Sequence, residues 1–121
     1  MIITNNNGTI EMTNEVFTAV AGDAATNCFG VRGMADRTVK DGIVRLLKRE
    51  NLSKGVKVTF ENDKVNINVH IIVEHGVNIR AICESIINEV RYNVERVTRV
   101  EVGCVKVKVD SVMADYRRCR Y

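Results

Sequence analysis

The chain has 121 residues, 45% of them hydrophobic and 27% charged, with 18 Lys and Arg against 15 Asp and Glu for a formal charge of +3. That is the balance of one ordinary globular domain, and it excludes both a disordered chain and a mini-fold that needs a metal to stand. No run of about 18 apolar residues and no basic, apolar, small-residue leader occurs in it, so neither a membrane span nor a secretory signal is expected and the cytoplasm is the expected compartment. With no Trp, no Pro and two His, composition names no reaction.

Gly8-Thr9-Ile10-Glu11-Met12 is a short extended segment, followed by Thr13, whose hydroxyl is placed to cap a helix. Val16, Phe17, Val20, Ala21, Ala24 and Cys28 recur at three- and four-residue steps, so the first helix is predicted over 14–28. Gly30-Val31-Arg32-Gly33 breaks this pattern. Val39, Ile43, Leu46 and Leu47 then resume a helical period up to about Glu50, across an interior Gly42.

From Val56 the period falls to two. Val56, Val58 and Phe60 share one face of a strand, and after the polar turn Glu61-Asn62-Asp63-Lys64 the residues Val65, Ile67, Val69, Ile71 and Val73 alternate with Asn66, Asn68, His70, Ile72 and Glu74. The pair reads as an antiparallel hairpin with one buried face. Gly76 closes it and Asn78 caps the next helix, whose stripe runs Ile79, Ile82, Cys83, Ile86, Ile87, Val90, Val94 and Val97.

In the last strand Val100, Val102 and Cys104 fall on even positions, but Val105, Val107 and Val109 on odd ones, which demands one extra residue and places a β-bulge at Gly103. Residues 1–113 thus form one predicted domain, ordered β-α-α-β-β-α-β: an α+β sandwich of two layers, with a small, mainly antiparallel sheet carrying its helices on one face. Residues 114–121, with Arg117, Arg118 and Arg120 against Asp115, read as a basic, frayed tail.

Two stretches carry a family resemblance. Gly8-Thr9-Ile10-Glu11-Met12-Thr13 through Val16, Ala21, Ala24 and Ala25 to Gly30-Val31 is one, and Val73-Glu74-His75-Gly76-Val77-Asn78-Ile79 through Val97-Thr98 to Val105-Lys106-Val107-Lys108-Val109 and Val112 is the other. In order and spacing they resemble the alkaline-shock protein family of Gram-positive bacteria, the Asp23/Gls24 envelope stress response family, over residues 8–112. The sequence departs from that pattern at His75, where Tyr is usual, at Arg99, where Gly is usual, and at Gly103-Cys104, which interrupt the strand. The resemblance implies a small non-enzymatic cytoplasmic protein linked to envelope homeostasis under alkaline or other envelope stress. It also implies a protein partner, membrane-anchored in some members, and self-association in others.

The residues themselves offer no catalytic constellation. His70 lies on the polar strand face and His75 in a turn, and fold position alone explains both. Cys28, Cys83, Cys104 and Cys119 are too scattered for a zinc site, so no metal and no cofactor is expected; the first three read as small buried hydrophobes and Cys119 as an exposed thiol.

A rival reading is RNA binding. Gly30, Val31, Arg32 and Gly33 match the G-x-x-G loop of KH domains, placed between two predicted helices, and the element order is also theirs. Arg32, Arg37, Lys40, Arg45, Lys48 and Arg49 follow, giving residues 32–49 a surplus of four positive charges. Against this, glycine is the commonest residue just past a helix end, and the polar sheet face (Lys57, Thr59, Asn66, Asn68, His70, Lys106 and Lys108) has no aromatic on which a base could stack. Self-association is open by another route, since the last strand with Lys106 and Lys108 reads as either a protected edge or a candidate interface, and Ile72, expected to be exposed on the polar face, is a small hint of contact although a single surface apolar residue is normal. The arginine tail is a third candidate, a weak electrostatic touch on an anionic membrane surface without insertion.

Overall fold

A computed structural model describes residues 1–35 and 55–113; the predicted second helix through Val39, Ile43, Leu46 and Leu47, and the basic tail, lie outside them. The first element is a hairpin, not a single extended segment: β1 (Ile2–Asn5) pairs antiparallel with β2 (Gly8–Glu11). Its tip is held by the Asn5 side-chain oxygen, which accepts from the backbone N–H groups of Asn7 and Gly8 at 2.8 and 3.1 Å. Sequence reading missed β1 because Ile2-Ile3 has no alternation to distinguish it.

Helix α1 (Asn14–Thr26) begins after Thr13, whose backbone is extended but whose hydroxyl makes no capping bond, contrary to expectation. It also ends two residues before the apolar stripe does. Thr26 returns its hydroxyl to the Gly22 carbonyl at 3.0 Å, and Cys28 is tucked in by the following turn, its N–H bonding the Ala25 carbonyl at 3.3 Å. Beyond Phe17, the face that α1 buries is built of small residues, Ala21, Gly22, Ala24 and Ala25, so the helix can lie close to the sheet.

The central hairpin follows its hydrophobic alternation. β4 (Val56–Glu61) pairs antiparallel with β5 (Lys64–Glu74) from Val56↔Val69 to Glu61↔Lys64. Asn62 and Asp63 both take positive φ, 52° and 63°, as a two-residue turn between right-twisted strands requires, and they are residue types that tolerate it. On α2 (Ile79–Thr98), Asn78 caps the start as expected, its side chain accepting from the Ala81 N–H at 3.1 Å. The helix buries Ile82, Ile86, Val90, Val94 and Thr98, at uniform steps of four.

β6 (Val102–Met113) runs parallel to β5, and α2 is the crossover between them. Twenty helical residues span about 30 Å, close to the length of β5, so one helix suffices to return the chain to the start of its neighbour. The expected bulge is present, since Val65 faces Val102 while Asn66 faces Cys104, leaving Gly103 as the extra residue. Glycine is needed there for space: a Cβ would stand 2.7 Å from the Asn66 side-chain oxygen. A second bulge, unforeseen, skips Asp110 between Ile71↔Val109 and Ile72↔Ser111.

The sheet is therefore centred on β5. β6 occupies one edge, while the other is shared end to end by β4 and by β3 (Val31–Met34), which pairs antiparallel with Ile71–Val73. Both helices cover one face, where Val65, Ile67, Val69, Ile71 and Val73 of β5 are wholly buried among Phe17, Ile86, Val90 and Val94. The two-layer α+β sandwich is thus the observed architecture.

Helix α2 ends on Arg99 in the left-handed conformation, φ 60°, its N–H bonding the Glu95 carbonyl at 2.9 Å. This is the position at which glycine is usual in the family the sequence resembles, and a side chain there costs energy that glycine avoids. Arg99→Gly is expected to stabilise the fold by about 0.5–1 kcal/mol. A raised urea midpoint with an unchanged slope would show it.

Candidate functional site

The double-glycine step is not a loop between helices. Val31, Arg32 and Gly33 belong to β3, with Val31 opposite Val73 and Gly33 opposite Ile72, and the register slips by one residue between them. Gly30 just before it has φ 86°, and a Cβ on it would collide with Cδ1 of Ile82. Its carbonyl accepts from the Glu74 N–H at 3.0 Å, locking the end of α1 onto the end of β5. Backbone conformation and helix packing therefore account for Gly30. Arg32 reaches Glu74 at 3.9 Å across the strand pair, both ends half exposed. Arg37 and Lys40 lie outside the described residues. What concealed β3 is its brevity: four residues with one glycine and no alternation carry no strand signal.

The sheet face opposite the helices is polar, as its alternation requires. Thr59, Asn66 and Cys104 form one cross-strand row, and Lys57, Asn68 and Lys106 the next, while Lys108 lies opposite His70. The three lysines are exposed, and Asp110, two residues beyond Lys108, is engaged by His70 Nδ1 at 2.8 Å. That pair holds the extra residue of the second bulge, so the histidine serves the strand geometry.

Ile72 is a correction. It points outward by parity but is only 3% exposed, and Ala35, which follows β3 on the same face, is wholly buried. Strand parity fixes the direction of a side chain and not what covers it, and this end of the outer face is covered. Cys104 is the converse correction: the bulge turns it outward, and it is exposed where it was expected to be buried. Cys83 is half-buried, and only Cys28 matches its expectation, its thiol donating to the Ala24 carbonyl at 3.5 Å. Burial pushes the Cys28 thiol above its ordinary value, opposed by a hydrogen bond with Ser85 and reinforced by Glu89; burial likewise raises Cys83.

Two further surfaces were not visible in the sequence. Phe17 and Phe60 pack edge to face with ring centroids 5.3 Å apart, but Phe29, the remaining phenylalanine, is 91% exposed. It projects between the end of α1 and Gly30, at the end of the sheet where Ile79 and Val112 are also exposed. The ion pairs Arg32–Glu74 and Arg80–Glu84 (3.3 Å) flank this end. The second surface is a shallow groove of about 320 Å³ between the helices, with Val20, Ala24 and Val97 in it and Glu89, Asn93 and Arg96 among its polar residues. Among the described residues no cluster of three His, Cys, Asp or Glu is placed to hold a metal ion, and no helix is long and apolar enough to cross a membrane.

Comparison with known proteins places residues 2–114 within the profile of the Asp23 family, described as having a cell envelope-related function. YloU of Bacillus subtilis is 37% identical over 106 residues, covering 87% of this chain and 88% of its own. A protein of Streptococcus pyogenes serotype M6 is 32% identical over 111 residues, covering 91% and 92%. YqhY of Bacillus subtilis is 28% identical over 108 residues, covering 89% and 79%.

The geometry makes two outcomes measurable. Gly30→Ala is expected to destabilise the domain by about 1–2 kcal/mol from the left-handed conformation alone, read as a lowered urea midpoint. Among the described cysteines a thiol reagent at pH 8 should modify Cys104 first and Cys28 last, because a raised pKa leaves less thiolate and burial blocks access. Peptide mapping after timed alkylation gives that order directly.

Proposed function

The chain belongs to the Asp23 family, and from that premise we propose that it serves cell-envelope homeostasis by binding and not by catalysis, as an interaction module on the cytoplasmic side of the envelope. The carrying observation is Phe29. A ring that is 91% exposed, on a backbone fixed by the Gly30–Glu74 hydrogen bond, is an anchor residue without a pocket of its own. Ile79 and Val112 are exposed at the same end of the sheet, where the ion pairs Arg32–Glu74 and Arg80–Glu84 also lie, and an apolar anchor with polar residues about it suits a protein–protein contact.

The partner this reading calls for is a protein that presents an apolar pocket, membrane-anchored or a further copy of the chain, and the demand for the contact rises under alkaline or envelope stress. The candidate interface around Lys106 and Lys108 is a poorer site for strand pairing. Bulges at Gly103 and Asp110 interrupt the β6 ladder, and lysines blunt what remains of the edge.

Phe29→Ser tests this reading, since the exposed ring contributes little to folding and the variant should melt with the wild type. Crosslinked pull-down from membrane fractions, paired with light scattering of the purified chain, is expected to show a protein partner or a larger mass that the variant loses. Retention of both by Phe29→Ser would remove this surface from the function.

A further inference from the structure

We propose that the polar stretch of the outer sheet face, from the Glu61 turn to the row of His70 and Lys108 and short of the covered end at Ile72, is an electrostatic docking surface for an anionic lipid bilayer. Lys57 and Lys106 stand in one row across three strands, on either side of Asn68, and Lys108 is two residues further along β6. Neighbouring strands lie about 4.8 Å apart and residues two apart on a strand about 6.8 Å, so the three stems rise from a nearly flat patch about 10 Å across. All three are exposed, and none has an ion-pair partner among the described residues.

Among the described residues the carboxylates of this face are outnumbered by its lysines: Asp110, hydrogen-bonded to His70, sets one negative charge near Lys108, Glu74 faces Arg32 at one end, and Glu61 lies at the turn at the other, where Lys64 pairs with Glu101. The centre of the face is a set of cations over half-buried, uncharged Asn66 and Asn68.

The chemistry of the patch selects its occupant. Single-stranded nucleic acid needs a ring to stack on, and this face has none. An extended acidic peptide would add to the β6 edge, where two bulges break the ladder. A bilayer surface asks for neither a ring nor a ladder: it needs flexible point charges on a polar, non-penetrating face, and a cell envelope-related function is compatible with such a partner. Each lysine near an anionic leaflet is worth about a fivefold gain in partitioning, so three give about a hundredfold, reversible and sensitive to salt. This surface is separate from the Phe29 end face, and the two readings stand or fall independently.

The test is sedimentation of the full chain with vesicles of phosphatidylcholine alone or mixed with phosphatidylglycerol, at low and high salt. The expected result is partitioning onto the mixed vesicles only, lost at high salt. It should fall about a hundredfold when Lys57, Lys106 and Lys108 are all replaced by Gln. A second variant with Glu at the three positions keeps a charged strand edge and should fall at least as far, with melting curves of both confirming the fold. A control with Gln at Arg117, Arg118 and Arg120 should keep the sheet-dependent part of the binding. The proposal is overturned by any of four results: no binding to mixed vesicles, equal binding to neutral ones, full binding by the lysine variants, or complete loss in the tail control. Capture of single-stranded RNA by the same lysines without vesicle binding would assign the face to nucleic acid instead.

Discussion

Strand β5 is the constraint on which the fold depends. It is hydrogen-bonded along both edges, to β6 on one side and to β4 and β3 in succession on the other, and its inward residues from Val65 to Val73 are all fully buried. Because side chains alternate with period two, a slip of one residue against any neighbour would carry those five apolar groups to the polar face. The register of three other strands is therefore settled by where β5 must put its valines and isoleucines. The crossover helix is bound by the same strand, since α2 lays Ile82, Ile86, Val90 and Val94 into the core that includes those groups.

The two bulges of β6 follow from that demand. A twelve-residue strand beside β5 cannot keep Val102 and Val105 both inward without discarding one position, and Gly103 is the residue that can stand against Asn66 without a side chain in the way. At the other end Asp110 is the discarded residue, and here the strand keeps a carboxylate because His70 gives it a partner at 2.8 Å. One irregularity is solved by removing a side chain and the other by satisfying one. Both keep the inner face apolar, and both disturb the outer edge of β6 enough to discourage a further strand from joining it.

What could be read from the sequence divides along the same physical line. The β4–β5 hairpin, α2 with its Asn78 cap, and the Gly103 bulge were legible because burial on one face imposes a period over many residues. β1, β3 and the true burial of Ile72 were not, because four-residue strands are too short to show a period and because cover over the outer face leaves no trace in β5 itself. The G-x-x-G pattern shows the opposite hazard. Its glycines satisfy a loop motif on paper, yet Gly30 answers to a positive φ and to the approach of Ile82, and Gly33 sits in a strand. Phe29 could not be singled out in advance: Phe17 falls in the apolar stripe of α1, but a ring beyond the end of the stripe has no period to say whether it folds back or stands in solvent.

Arg99 shows how such departures carry information. Where the family resemblance calls for glycine the backbone does adopt the left-handed region, so the resemblance is structural at that position even though the residue differs. The chain accepts the cost of an arginine there, and the C-terminal end of a helix offsets part of it by favouring a positive charge. The same logic separates the two outward surfaces from the core. Inside, each departure from pattern is answered by a hydrogen bond or by an absent side chain. Phe29 and the three lysines of the sheet have no such answer within the described fold, and an exposed ring and a set of unpaired cations are what binding, not folding, would retain.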